Sequence, residues 1–139
     1  MADGYALATQ VGIRAALAAD AGVTALVSAR IYDEPPQDVV FPYLRFNAIT
    51  PNAFDTDLTE GAQVDVSFDA HSRAASGRVE ATQMAEAVKT ALHRQETTVT
   101  IAGFNLIELI FVTFNVTRDN DGRGYTAVIV LQATLETTA

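Results

Sequence analysis

Cysteine is absent from this 139-residue sequence. That absence removes disulfides, thiolate metal sites and cysteine nucleophiles together, and it fits a reducing compartment. Tryptophan is absent too, and histidine occurs twice, as His71 and His93. Two histidines far apart in a chain without cysteine do not make a zinc site. His71 closes a strand pattern. His93 falls in the last turn of a helical pattern, where an imidazolium would suit the negative end of the dipole. Both read as structural or surface residues rather than catalytic ones. Basic side chains are scarce: Lys and Arg total 9 against 17 Asp and Glu, for a net charge of −8. Binding nucleic acid by phosphate neutralisation needs a basic face, so specific DNA or RNA binding is not expected. A protein past which DNA slides without being held stays possible. No apolar run reaches the about 18 residues that span a bilayer, so no membrane partner is expected. Met1-Ala2-Asp3-Gly4 carries no basic stretch, and no signal peptide is expected. Internal repeats and low-complexity segments are also missing.

What is present is apolar. Hydrophobic residues make up 49% of the chain, enough for a real core in one domain. The mean hydropathy of +0.15 suggests that some apolar surface is reserved for partners. Residues 103–135 organise the rest. They read as two long strands, 104–118 and 125–135, joined by Asp119-Asn120-Asp121-Gly122-Arg123-Gly124. The second strand alternates, with Tyr125, Ala127, Ile129, Leu131, Ala133 and Leu135 on one face. The first is apolar on both faces from Leu106 to Val112 except at Glu108, which places it inside a sheet, covered on both faces. The Asp/Asn/Gly cluster supplies the turn, because these residues tolerate positive φ.

Residues 5–19 have helical periodicity, with Asp3 as a cap. Leu7, Val11, Arg14 and Ala18 follow one line and Ile13 and Leu17 the next, giving a wide buried stripe. A short helix over 23–29 and a short strand at 30–32 follow. Residues 33–42 compose a loop with adjacent prolines and Asp33, Glu34 and Asp38. A strand over 43–49 leads to a long acidic loop, 50–61, holding Phe54 and Leu58 among Asp55, Asp57 and Glu60. Residues 63–71 form the clearest amphipathic strand: Val64, Val66, Phe68 and Ala70 inward, Gln63, Asp65, Ser67 and Asp69 outward. A helix over 78–94 lines one broad face with Val79, Met84, Ala85, Val88, Ala91 and Leu92, and 97–101 reads as one more strand. The order α α β β β α β β β predicts an α+β fold: an antiparallel or mixed sheet with its helices packed mainly on one face.

No catalytic, cofactor or metal constellation stands out. Asp119-Asn120-Asp121-Gly122 fails as a calcium loop, since its glycine comes at the fourth position and Val130 stands where the bidentate Glu belongs. No phosphate loop, nucleophile elbow or carboxylate pair is visible. Arg73, Arg78, Arg118 and Arg123 flank turns, serving either local pairing or pairing with acidic loops of a neighbouring subunit.

Three segments carry a resemblance: Arg30-Ile31-Tyr32-Asp33 through Pro36-Gln37 to Phe41-Pro42-Tyr43; Val66-Ser67-Phe68 to His71-Ser72-Arg73 with the helix after it; and Arg118-Asp119 with Asp121-Gly122-Arg123 before the last strand. In order and spacing the chain resembles the DUF3168 family of tail completion, or tail terminator, proteins of long-tailed phages and gene transfer agents. It departs in carrying His71 where many members have an aromatic residue there or alongside. The resemblance implies one tail-terminator-like domain over residues 1–139 and a structural, non-enzymatic virion role, with assembly in the bacterial host cytoplasm. It implies a homo-oligomeric ring, six-fold in related systems, at the head-proximal end of the tail tube. The ring would stop tube growth and meet the head-side connector or stopper, with DNA passing through unbound. Partners are then the chain itself, the tail tube protein and the connector. Candidate interface residues are Phe54, Leu58, Asp33, Glu34, Arg118 and Arg123; candidate lumen acids are Asp55, Asp57, Asp65 and Asp69. The alternatives are a head-side adaptor, another minor tail protein, or a small ligand-binding or enzymatic domain.

Overall fold

A computed structural model describes residues 4–55, 60–75 and 77–137. Helices α1 (Tyr5–Ala19) and α2 (Ala21–Val27) come first, then strands β1 (Ile31–Tyr32), β2 (Tyr43–Asp55) and β3 (Glu60–Ser72). Helix α3 (Arg78–Leu92) follows, and β4 (Phe104–Arg118) and β5 (Tyr125–Thr137) close the chain. One mixed sheet has the order β1-β2-β3-β5-β4. Among the described residues only the β1–β2 pair is parallel. The four long strands alternate in direction.

The helices pack on one face of this sheet, α1 over β2 and β3 and α3 over β3, β5 and β4. Strict alternation selects that face. Val64, Val66, Phe68 and Ala70 of β3 and Ala127, Ile129, Leu131, Ala133 and Leu135 of β5 are all fully buried. They meet Met84, Ala85, Val88 and Leu92 of α3 and Ile13 and Leu17 of α1 in one core. The expected α+β fold is present, with helices on one face.

Several sequence expectations need correction. β4 is an edge strand, not an interior one. Its apolar run is instead sorted by two bulges, at Ile107 and Val112, which turn those side chains out to 50% and 51% exposure while Leu109 stays buried. Residues 97–101 form turns rather than a strand, yet Val99 and Ile101 plug the core. The stretch 50–61 is no long loop: β2 and β3 pair as far as Asp55 and Glu60. Helix α3 ends at Leu92, and Val79 is exposed. On α1 the buried line runs through Ala8, Gly12, Ile13 and Leu17, leaving Leu7 and Val11 exposed. Asp3, the expected cap, lies outside the described residues; the N-cap is Gly4. Gly12 is explained by close packing, because a Cβ there would collide with the Thr100 carbonyl. Among the described residues no single helix is long and apolar enough to cross a membrane.

Candidate assembly surface

Among the described residues the second face of the sheet carries no helix. Cross-strand register lines its side chains into rows. One row runs Glu108, Thr134, Gln63, Asn52 and the next Ile110, Gln132, Asp65, Thr50. Further along come Asn115, Val128, Asp69 and Arg45, and then Thr117, Thr126, His71 and Tyr43. Hydroxyls and amides dominate. This face follows directly from the outward half of each alternating strand.

Its charges are mostly paired within the face. Asp69 is buried, accepting from Arg45 Nη2 at 3.1 Å and Asn47 Nδ2 at 3.0 Å. Arg94 reaches Glu108 at 3.3 Å. Asp65 is different: it accepts from Gln132 at 3.1 Å and Asn52 at 3.4 Å, both neutral amides, and so keeps its charge uncompensated. Of the expected lumen acids, Asp65 therefore offers a carboxylate to the open face, whereas the Asp69 charge is spent on Arg45. Asp55 ends β2, and Asp57 lies outside the described residues.

His71 sits in the last of these rows. Its ring stacks on Tyr43 at 4.8 Å, and its Nδ1 lies 3.1 Å from Thr126 Oγ1, which donates to Asp119. Burial pushes the His71 pKa below its usual value, against the opposing pull of Asp69 and Asp119. The same burial raises the Tyr43 hydroxyl. His93 caps α3, and its Nδ1 accepts the Phe111 N–H at 3.0 Å. His71 Nε2 also lies 3.8 Å from Asp69 Oδ2, so both histidines tie neighbouring elements together. Among the described residues no cluster of three metal-ligating side chains occurs.

The expected interface residues separate to two ends of the sheet. At one end the 33–42 loop meets the 119–124 turn. Arg73 links them, its guanidinium 4.2 Å above the Phe41 ring and 3.7 Å from Asp121. Asp33 and Glu34 are exposed in the first of these segments. Arg118 leads into the second and acts locally, its Nη2 donating to the Gly122 carbonyl at 3.3 Å; Arg123 is exposed within it, and only its backbone N–H donates to Asp121, at 2.9 Å. At the opposite end Phe54, 39% exposed, pairs across from Gly61. A Cβ on Gly61 would strike the Leu135 carbonyl at 2.5 Å and the Phe54 ring at 2.9 Å, so the position needs glycine. Leu58 lies outside the described residues. Sequence reasoning missed Arg45 and Asn47. Their alternation was legible, but the strand register that gives them partners was not.

These surfaces define an interaction module: an open polar sheet face with a loop cluster at one end and the exposed Phe54 at the other. A family model described as "Tail completion protein gp17" matches residues 11–136, and the chain belongs to that family. It is accordingly a structural protein of tail completion. Two solved structures are similar. A chain from "Virion of native gene transfer agent (GTA) particle" superposes with a TM-score of 0.84 at 25% identity, covering 96% of this chain and 99% of that one. The "Structure of bacteriophage SPP1 gp17 protein" gives 0.55 at 19% identity, covering 93% and 89%, and is a likeness of fold. No curated protein matches the chain.

Proposed function

We propose that this protein is the tail terminator of a phage or gene transfer agent: a closed ring of its own copies, six-fold, on the head-proximal end of the tail tube. The ring stops tube growth with one set of loops and offers the other set to the head-side connector. Membership of the tail completion family carries this reading. The exposed 33–42 loop at one end of the sheet and the exposed Phe54 at the other support it, because a terminator must meet two different partners. A closed ring requires a heterologous interface whose rotation closes. The bore is acidic, with Asp65 the best-placed carboxylate, and a net charge of −8 keeps DNA from sticking during passage. Deleting the gene should yield overlong or headless tails, visible by negative-stain microscopy and corrected by supplying the protein in trans. Normal particles from the deletion strain would refute the assignment.

A further inference from the structure

The outer edges of β4 and β2 are each sealed over part of their length. On β4 the turn after α3 covers Leu109 to Phe111. The Arg94 N–H donates to the Leu109 carbonyl at 2.9 Å, the Leu109 N–H to Glu96 Oε2 at 3.0 Å, and the Phe111 N–H to His93 Nδ1 at 3.0 Å. On β2 the short strand β1 covers the start, pairing Ile31 with Leu44 and Tyr32 with Arg45. Among the described residues no other strand or loop hydrogen-bonds to the outer edge of β4 over 112–118 or of β2 over 46–55. Unpaired edges of this length are templates for another strand.

The two seals lie at different levels of the sheet: Leu109 and Phe111 are level with Pro51 and Ile49, whereas β1 covers Leu44 and Arg45. Through the register, Asn115 of β4 is level with Val128, Asp69 and Arg45, whereas Glu108 is level with Thr134, Gln63 and Asn52. A neighbour placed flush would therefore bring each open half against a sealed one. The strand directions do fit. Four alternating strands end antiparallel to where they began, so a rotated copy presents β2 antiparallel to β4.

We infer that neighbouring copies in the ring join β4 residues 112–118 to β2 residues 46–55, continuing the sheet with a stagger along the strands. Centring the two open halves on each other moves Asn115 from the level of Arg45 to that of Pro51. Allowing for the bulged Asn47, this is about five residues, or about 17 Å at ~3.3 Å per residue. Four long strands span about 19 Å at ~4.8 Å spacing. The ratio inclines the strands to the ring axis by about 40°, within the roughly 35–45° that closed barrels adopt. The diagonal seals thus impose the stagger that closure needs and block the flush pairing. Pro51 has no N–H to give, so the joined ladder lacks one hydrogen bond near its centre. The helices then lie outside and the open face, with Asp65, lines the bore.

This inference rests on the ring reading, and the native chain's lack of cysteine makes the two separable. Full-length double variants Asn115→Cys with Thr50→Cys, and Asn115→Cys with Asn52→Cys, test the staggered register. Glu108→Cys with Asn52→Cys tests the flush one. Particles assembled from each are oxidised, run on denaturing gels and imaged, and the melting temperature of each reduced protein confirms folding. The staggered pairs should give a ladder ending at the closed ring, and the flush pair monomer alone. A ladder from the flush pair would overturn the proposal, as would rings on tails with no cross-link from either staggered pair; in both cases the ring reading survives. Tails that end normally without any ring would overturn both.

Discussion

Replacing Phe68 by alanine tests whether the helix-covered face is the core. Phe68 has no exposed surface, sits mid-strand in β3 and stacks on Phe46 with ring centroids 4.7 Å apart. Through the register it lies between Phe46 and Ile129, on the face that α3 covers. Truncation removes the ring's transfer energy and leaves a cavity that rigid neighbours on both strands cannot close. Phe-to-Ala changes at such sites cost about 3–5 kcal/mol. The lost ring pair falls within that range, since an aromatic pair contributes about 0.5–1.5 kcal/mol beyond burial. Domains of this size are stable by about 5–15 kcal/mol, so the variant should fold but melt at much lower denaturant concentration. Urea titration followed by circular dichroism, with the slope held in common, reads the difference. A loss below about 1 kcal/mol would show that Phe68 is not enclosed as described and that the packing of α3 on β3 is wrong.

The remaining expectations are smaller. Asp69→Ala strands the half-exposed Arg45 and Asn47 without their acceptor and should cost about 1–3 kcal/mol in the same titration; no loss would mean the buried carboxylate is not their hub. Because burial lowers the His71 pKa in the folded state, the unfolded chain binds its proton first. Stability should therefore be full above the ordinary value of 6.5 and fall as pH drops through it toward the folded pKa. His71→Gln should flatten that part of the stability curve, and an unchanged slope would remove His71 as its source. Asp65→Lys should leave rings intact and slow DNA release from particles, read by dye uptake after triggering; wild-type release would leave the −8 as a solubility charge alone.

Much of the fold was legible because strand period and burial coincide. In β3 and β5 every second residue is buried, and the alternation named the core face correctly. β4 defeated the same reasoning. Apolar residues on both faces suggested an interior strand, but two bulges at an edge produce the same pattern. The 50–61 stretch misled through composition: Pro51, Asn52 and Asp55 are poor strand formers, and tertiary pairing to β3 overrides them. Val99 and Ile101 read as a strand because a short apolar run has no period of its own; here they plug the core from a turn. At the candidate surface, residue types were readable and their partners were not. Nothing in the sequence places Arg45 beside Asp69, or Glu96 at the edge of β4, since both depend on register across long separations.

The central claim is termination by a ring, and it is tested most directly by mixing the purified protein with growing tail tubes and imaging them by electron microscopy. The account predicts a ring seated on one end of each tube and tubes whose lengths stop increasing once capped. Tubes that keep lengthening, with the protein folded, present in excess and absent from their ends, would contradict it.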